Sequence, residues 1–378
     1  MILLSLASKQ IWPHVLTAAR LKPERLFLLH SQDANESQGP AQRLKRFFDD
    51  TGLVPRGGTR LELVPHDDFN GIERALDVLQ AKHQLALADC RLNFTGGNKL
   101  MATAAFRWAA RRGVSAFYLE RGNQLTCFEP RDGEMQTRPE KMDGHVADEF
   151  DPLALLRCQL EASEVERGGE ILALNRKGLD TTIQQLARLL AAGADPLRFL
   201  VRAATVAPAA AKGDRLEFTT AVFLLKCGVN GVRRSVRLKV KPSQGMKLSV
   251  PHAEIDLLFN YGGRLWLVDC KDRKPAENLI DGLWPFVQQD QKVSGSKASQ
   301  LIGRIAAELG MSQTKVLKED LVAIREIGGL LGRAVCVRRS RLPVEVEEYA
   351  RLNAITLIYR DALVTELPRI LERSVPRP

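Results

Sequence analysis

From Ile2 to Phe128 the chain alternates short apolar runs with stretches of helical spacing, and that alternation leaves few folds open. Ile2 to Leu6, Leu26 to Leu29, Leu61 to Val64 and Val114 to Leu119 have strand length, and Leu85 to Phe94 contains another strand. Gln124 to Phe128 reads as a further strand. Between them, apolar residues recur at helical spacing: Val15, Leu16 and Ala19; Leu44, Phe47 and Phe48; Ile72, Ala75, Leu76 and Leu79; then Leu100 to Ala110. Strands separated by helices cannot pair as hairpins. They need crossovers, which build a parallel sheet with helices on its faces. The expected fold is α/β, with a doubly wound, mostly parallel sheet over residues 1–150.

Residues 151–212 read as a helical connector, with Leu179, Ile183, Leu186 and Leu190 in helical register and an Ala-Pro-rich linker at 203–212. A second α/β unit is expected over 213–378. An apolar helix opens near Gly213 and runs to about Lys226. Later come a helix with Leu301, Ile302, Ile305 and Leu309, a strand at Ala334 to Arg338, a helix with Val346 and Tyr349, and a strand at Ala354 to Tyr359. A chain of 378 residues has room for two such domains.

In the second unit, Ala253 to Asn260 and Arg264 to Lys271 are apolar-rich runs around Tyr261-Gly262-Gly263, a strong hairpin signal. Strand alternation would put Glu254 and Asp256 on one face, and Ile255, Leu257 and Phe259 on the other. Asp269 and Lys271 share a face of the return strand, and Glu217 lies near a helix N-terminus upstream. Carboxylates are the ligands that hard magnesium and manganese ions prefer. Such an ion can polarise a phosphate and activate water. The Lys271 ammonium is a movable point charge suited to a phosphate or an attacking water. The bland alternatives are solvated charges at a strand end and, for Glu217, a first-turn acid that favours the helix dipole.

The net charge of +10 favours a polyanionic partner. From Phe218 through Ala253 no acidic residue occurs, while Lys226, Arg233, Arg234, Arg237, Lys239, Lys241 and Lys247 do. Arg233, Arg234, Arg237 and Lys239 are candidate contacts to nucleic-acid phosphates. A solvated sheet face is the alternative. Gln288 and Lys292, in a polar segment, are further candidates. Neither a CxxC pair nor HxH or HExxH spacing occurs, which argues against a zinc site, and Cys90, Cys270 and Cys336 read as buried thiols. Met1 to Leu4 runs straight into a strand pattern rather than a signal peptide, and no apolar run approaches a membrane span. A soluble, cytoplasmic protein is expected.

A second constellation, Asn93-Phe94-Thr95-Gly96-Gly97-Asn98-Lys99-Leu100-Met101, lies where a strand turns into a helix. Adjacent glycines let backbone amides approach a phosphate, and a helix N-terminus favours an anion. Thr95, Asn98 and Lys99 add donors. A Gly-Gly turn with an ordinary helix cap is the alternative.

The order helix Glu217, strand Asp256, strand Asp269-Cys270-Lys271 resembles the PD-(D/E)xK nuclease superfamily. The proline of that name is absent before Asp256, and Asp269 stands where Glu is more frequent; neither change removes a carboxylate. With the N-x-T-G-G-x-K-x-M turn in an N-terminal Rossmann-like domain, the chain resembles the CARF-domain nucleases of type III CRISPR defence. Ile327-Gly328-Gly329-Leu330-Leu331-Gly332-Arg333 is similar to a late segment of their nuclease domain. Ser8-Lys9-Gln10 and Ser31-Gln32 occupy loops where such domains touch ligand.

The resemblance implies a CARF sensor at 1–150, a helical connector at 151–212 and a restriction-endonuclease-like α/β domain at 213–378. It implies a homodimer that binds a cyclic oligoadenylate, commonly cyclic tetra-adenylate, across its two-fold axis. Thr95, Gly96, Gly97, Asn98 and Lys99 would be the main activator contacts, with Ser8, Lys9, Gln10, Ser31 and Gln32 beside them. It also implies Mg2+- or Mn2+-dependent cleavage of DNA or RNA. Asp256 and Asp269 would be the metal ligands, Glu217 a further ligand or water-positioning acid, and Lys271 the transition-state cation. A non-catalytic sensor and a constitutive restriction or repair nuclease stay open as rivals.

Overall fold

The computed structural model describes residues 1–120, 123–160, 165–173, 212–239, 252–271, 332–339 and 341–374, with the single positions 318, 321, 325 and 327. The helices expected at 179–190 and 301–309, the linker at 203–211, the 328–331 part of the Gly-Gly segment, Lys241, Lys247, Gln288 and Lys292 lie outside these residues.

The N-terminal unit is a seven-stranded sheet in the order β3-β2-β1-β4-β5-β6-β7. Its strands are β1 (Ile2–Leu6), β2 (Arg25–His30), β3 (Thr59–Leu63), β4 (Cys90–Asn93), β5 (Ser115–Leu119), β6 (Gln124–Arg131) and β7 (Glu134–Lys141). The strands from β3 to β5 pair in parallel, while β6 and β7 are antiparallel. Helices α1 (Trp12–Leu21), α2 (Gly39–Thr51), α3 (Phe69–His83) and α4 (Lys99–Arg112) cover the sheet. Strand order reverses at β1, which has β2 on one side and β4 on the other. The loops leaving β1 and β4 therefore flank a topological switch point, where open α/β sheets bind ligands. The edge strand β7 had no sequence signal, because its residues are polar, mostly exposed and include Pro139.

The second sheet has the order β14-β13-β12-β11-β10-β8, with β9 also pairing β10. It contains β8 (Val165–Arg167), β9 (Glu170–Ala173), β10 (Gly231–Lys239), β11 (His252–Tyr261), β12 (Arg264–Lys271), β13 (Gly332–Arg338) and β14 (Thr356–Tyr359). Within 151–212, expected to be helical, the described residues form α5 (Pro152–Gln159), these two short strands and the start of α6 (Lys212–Lys226). Runs as short as β8 and β9 show no alternation a sequence reading can use.

One apolar cluster joins the two sheets. It runs from Leu3 and Leu26 of the first through Trp12, Val15 and Leu155 to Ile255, Leu258 and Leu267 of the second. Helix α1 is buried from Trp12 to Ala19, as a helix between two layers must be. The outer face of the first sheet carries α3 and α4. That of the second carries α6 through Leu216 and Phe223, and the C-terminal helix Leu363–Ser374 through Leu367 and Leu371. No helix among the described residues is long and apolar enough to cross a membrane.

The turn between β11 and β12 is held by the N-terminal unit. The Gly262 amide donates to Asp148 Oδ1 at 2.9 Å, and Asn123 Nδ2 donates to the Gly262 carbonyl at 3.2 Å. Asn260 Nδ2 donates to the Ala147 carbonyl at 2.5 Å. Gly144 lies so close that a Cβ there would stand 2.3 Å from the Gly262 carbonyl oxygen. His145 Nδ1 pairs with Asp148 Oδ2 at 2.6 Å, and its ring meets Tyr261 edge-on.

Candidate functional site

At the switch point, the β4–α4 turn packs directly on the end of β1. A Cβ on Gly96 would lie 1.8 Å from the Leu6 carbonyl oxygen, so only glycine allows the approach. The turn is braced from below. Buried Asn93 donates through Nδ2 to Ser5 Oγ at 3.1 Å and accepts from the Thr95 amide at 3.1 Å. Thr95 Oγ1 accepts from the Leu119 amide at 2.8 Å, tying the turn to the end of β5. Asn98 caps α4, accepting from the Met101 amide at 2.8 Å, while its Nδ2 donates to the His66 carbonyl at 2.8 Å.

The structure gathers Ser8, Lys9 and Gln10 around the same strand ends. Ser8 Oγ is the side-chain atom nearest a Cβ built on Gly96, at 3.1 Å, and Lys9 pairs with exposed Glu36. Ser31 is buried and accepts through Oγ from the Asp33 amide at 3.3 Å, so its side chain serves the loop after β2. Gln10, Gln32 and Lys99 are exposed. Met101 is buried and packs under the turn.

The acid cluster forms where β11 and β12 part. Their pairing stops at Leu257 with Val268. Beyond it, Asp256 Oδ2 accepts from the Cys270 amide at 2.6 Å, a side chain taking a backbone donor that a continued ladder would have used. The expected alternation fails at this point. Ile255 packs in the cluster with Leu258 and Leu267, while Leu257 and Phe259 pack in the outer one. Faces therefore change across Asp256, and Glu254 and Asp256 do not follow from a regular strand. Opposite, Ser235 of β10 has φ 55, a local break in the neighbouring strand.

Asp269 is buried and faces two cations, Lys271 Nζ at 2.8 Å from Oδ1 and Arg338 Nη2 at 3.0 Å from Oδ2. Burial, then the charge of Asp269, pushes the Asp256 carboxyl up to about 7. Burial opposes the charge on Lys271, but Asp269 and Asp256 outweigh it and raise the ammonium above its ordinary value. Burial, then the charges of Asp256, Asp269 and Glu217, pushes the Cys270 thiol well up. Glu217 of α6 has Arg234 Nη2 3.8 Å from its Oε2.

Among the described residues no three His, Cys, Asp or Glu side chains converge as a ready metal cage. The donor set still fits magnesium or manganese in kind. Such ions keep several waters and need only one or two carboxylates, with substrate phosphates completing the shell. Two buried, mutually repelling carboxylates, Asp256 and Asp269, are what a cation between them would relieve.

The structure does not bring the four basic residues of β10 together. Arg233 is clamped by Asp151, at 2.6 Å from Nε to Oδ1, and donates through Nη1 to the Gly168 carbonyl at 3.0 Å. It fastens the second sheet to the start of α5. Arg234 faces Glu217. Arg237 and Lys239 are exposed, with Arg237 Nε 3.9 Å from Glu254 Oε2.

No protein-family model and no curated protein sequence matches the chain. Solved structures do. Can2 from Sulfobacillus thermosulfidooxidans, determined in complex with cyclic tetra-adenylate, superposes with a TM-score of 0.57 at 17% identity, covering 100% of this chain and 99% of that one. The fold is that of Can2. Protein VC1899 from Vibrio cholerae shares it at a TM-score of 0.63 and 13% identity, covering 99% of this chain and 98% of that one. The two-unit α/β fold expected from the resemblance is thus the fold observed.

Two features of this Can2-type fold were not read from the sequence. Arg338 escaped because it looked like an ordinary charged end to the strand begun at Ala334; its signal was a cation in the same place as Lys271 of β12. The grip on the hairpin turn joins Asn123 and Asp148 to Gly262, and contacts so distant in sequence leave no local pattern.

Proposed function

We propose that this chain is a metal-dependent nuclease switched on by a cyclic oligoadenylate, in the manner of type III CRISPR defence. Residues 1–150 form the sensor, 151–212 the connection and 213–378 the nuclease unit. The observation that carries the reading is the buried pair Asp256 and Asp269 with the half-exposed Lys271 on Asp269, and Glu217 close enough for its charge to act on the Cys270 thiol. The whole-length likeness to Can2, a protein solved with cyclic tetra-adenylate, supports the same ligand class for the Gly96-Gly97 turn. In this reading the chain acts as a cytoplasmic homodimer, so that one activator meets both copies of the turn.

Asp256 and Asp269 would hold a magnesium or manganese ion, with Glu217 as a third acid. When bound, such an ion supplies phosphate polarisation and a more acidic water. Lys271, kept charged by the two aspartates, would donate to the attacking water and to the phosphate oxygens on which negative charge develops. Arg237 and Lys239 hold the nucleic-acid backbone beyond the cluster. Thr95, Gly96, Gly97, Asn98 and Lys99, with Ser8, Lys9 and Gln10, bind the activator phosphates and riboses.

The test uses supercoiled plasmid, single-stranded DNA and single-stranded RNA with manganese. Each is incubated with cyclic tetra-adenylate, cyclic hexa-adenylate or neither, beside Asp269→Ala. Cleavage only with activator is expected, with the variant losing at least about a hundredfold while binding activator as before. Full cleavage by Asp269→Ala would sink the site. Cleavage without activator would make the chain a constitutive nuclease. A non-catalytic sensor is the reading that the two cations already on Asp269 favour, and it requires tight activator binding with no cleavage of any substrate.

A further inference from the structure

Asp269 carries more positive charge than a waiting metal ligand needs. Strands β12 and β13 are parallel, with Asp269 beside Cys336 and Lys271 beside Arg338. Alternation then sets Asp269, Lys271 and Arg338 on one face, with both cations at the strand ends. Each oxygen of Asp269 faces one of them, at 2.8 and 3.0 Å. Arg338 is 5% exposed, so its charge has been taken out of water. Yet its Nε and Nη2 make no hydrogen bond, although Nη2 stands at ion-pair distance from Asp269. A buried guanidinium that meets its carboxylate without the bidentate fork it is built for is poorly satisfied by Asp269.

The charges of the whole group lead to the same point. Asp256, Asp269 and Glu217 contribute at most three negative charges, while Lys271, Arg338 and Arg234 contribute three positive ones. Among the described residues the cluster is balanced before any ion arrives. A divalent cation entering it, with both cations still on Asp269, would leave the group net positive in a medium that screens weakly. Lys271 belongs to the reaction in the reading above. Arg338 has no such task, and it sits on the carboxylate that the ion needs.

We propose that Arg338 is a positioning residue acting through Asp269, a built-in cation with which the divalent ion must compete. The proposal rests on the nuclease reading for the identity of the ion. Arg338 holds Asp269 in place and neutralised while no ion is bound, and it withdraws from Oδ2 when the ion binds. Neutralising residue 338 therefore makes ion binding easier, the reverse of what loss of a merely structural contact does.

Manganese binding to the full chain is measured by isothermal titration calorimetry, without activator or nucleic acid, on the natural protein, Arg338→Met, Arg338→Lys and Asp269→Asn. Thermal unfolding checks that each is folded. Arg338→Met is expected to bind manganese about tenfold more tightly than the natural protein, the scale of removing one nearby charge. Arg338→Lys, which keeps the charge, should stay within a few-fold of it, and Asp269→Asn should bind more weakly. Binding by Arg338→Met no tighter than the natural protein overturns the proposal, as does equal tightening by Arg338→Lys. Tightening as expected in a chain that cleaves nothing with any activator overturns the nuclease reading and leaves the role of Arg338 standing.

Discussion

Gly96 has no room for even a methyl group, since a Cβ would overlap the Leu6 carbonyl oxygen at 1.8 Å. Gly96→Ala must therefore push the turn off the end of β1. The expected result is a stability loss of about 2 kcal/mol, in the range for forcing atoms into a packed site. In the proposed reading cyclic tetra-adenylate affinity should fall at least about tenfold, because the amides proposed to approach its phosphates move with the turn. Thermal unfolding and calorimetry measure the two effects. An alanine variant that binds activator like the natural protein would remove this turn from the sensor. The sequence made this residue legible, since Gly-Gly before Asn98 and Lys99 is a local signal. Arg338 was not legible, because its partner Asp269 lies on another strand.

At the scale of elements, the sequence was most informative where one period held throughout. Strands β1, β2, β4 and β5 and helices α1 to α4 stand where the alternation predicted them. The hairpin β11–β12 was also found, but its inner faces were misassigned. The reason is physical: the ladder ends at Leu257, and the Asp256 carboxylate takes over the Cys270 amide. A site that must aim acids into one place breaks the regularity a sequence reading depends on.

Helix α1 offers a separate test. Its His14 is fully buried, with Nδ1 2.8 Å from Ser5 Oγ, and burial lowers its pKa from 6.5 to about 4. The unfolded chain then binds a proton below pH 6.5 that the native chain refuses until about pH 4. Stability from this group is complete above pH 6.5 and declines as pH falls toward 4, by about 3 kcal/mol in all. Urea unfolding between pH 7.5 and 4.5 should show that decline, and His14→Gln should flatten it. An unchanged slope in the variant would mean that other groups dominate the acid response.

The whole molecule is built so that its two sheets share one core and one polar junction. A run of short links leads from the Gly96-Gly97 turn to that junction. Thr95 accepts from Leu119 at the end of β5, the Glu120 amide donates to the Gln124 carbonyl at 2.7 Å, and Asn123 of the same β5–β6 turn holds Gly262. Asn123 has φ 64, so Asn123→Gly keeps the backbone and removes only the side chain. Activated cleavage is expected to fall about fivefold, with cyclic tetra-adenylate affinity unchanged, as befits a coupling contact worth about 1 kcal/mol. Equal losses of binding and cleavage would show that Asn123 supports the sensor itself.

The grip on Gly262 has a mechanical meaning. From that turn to Asp256 the strand spans six residues, or about 20 Å. In the proposed reading the hairpin, gripped at its tip and paired along its flanks with β10 and β13, tilts with those strands as a lever whose fulcrum lies in the sensor. A tilt of about 3° at the tip carries the acids by ~1 Å, a displacement that can change a reaction rate about a hundredfold. In the proposed reading the sensor has no need to push on the nuclease site; it only has to turn the end that the N-terminal unit already holds.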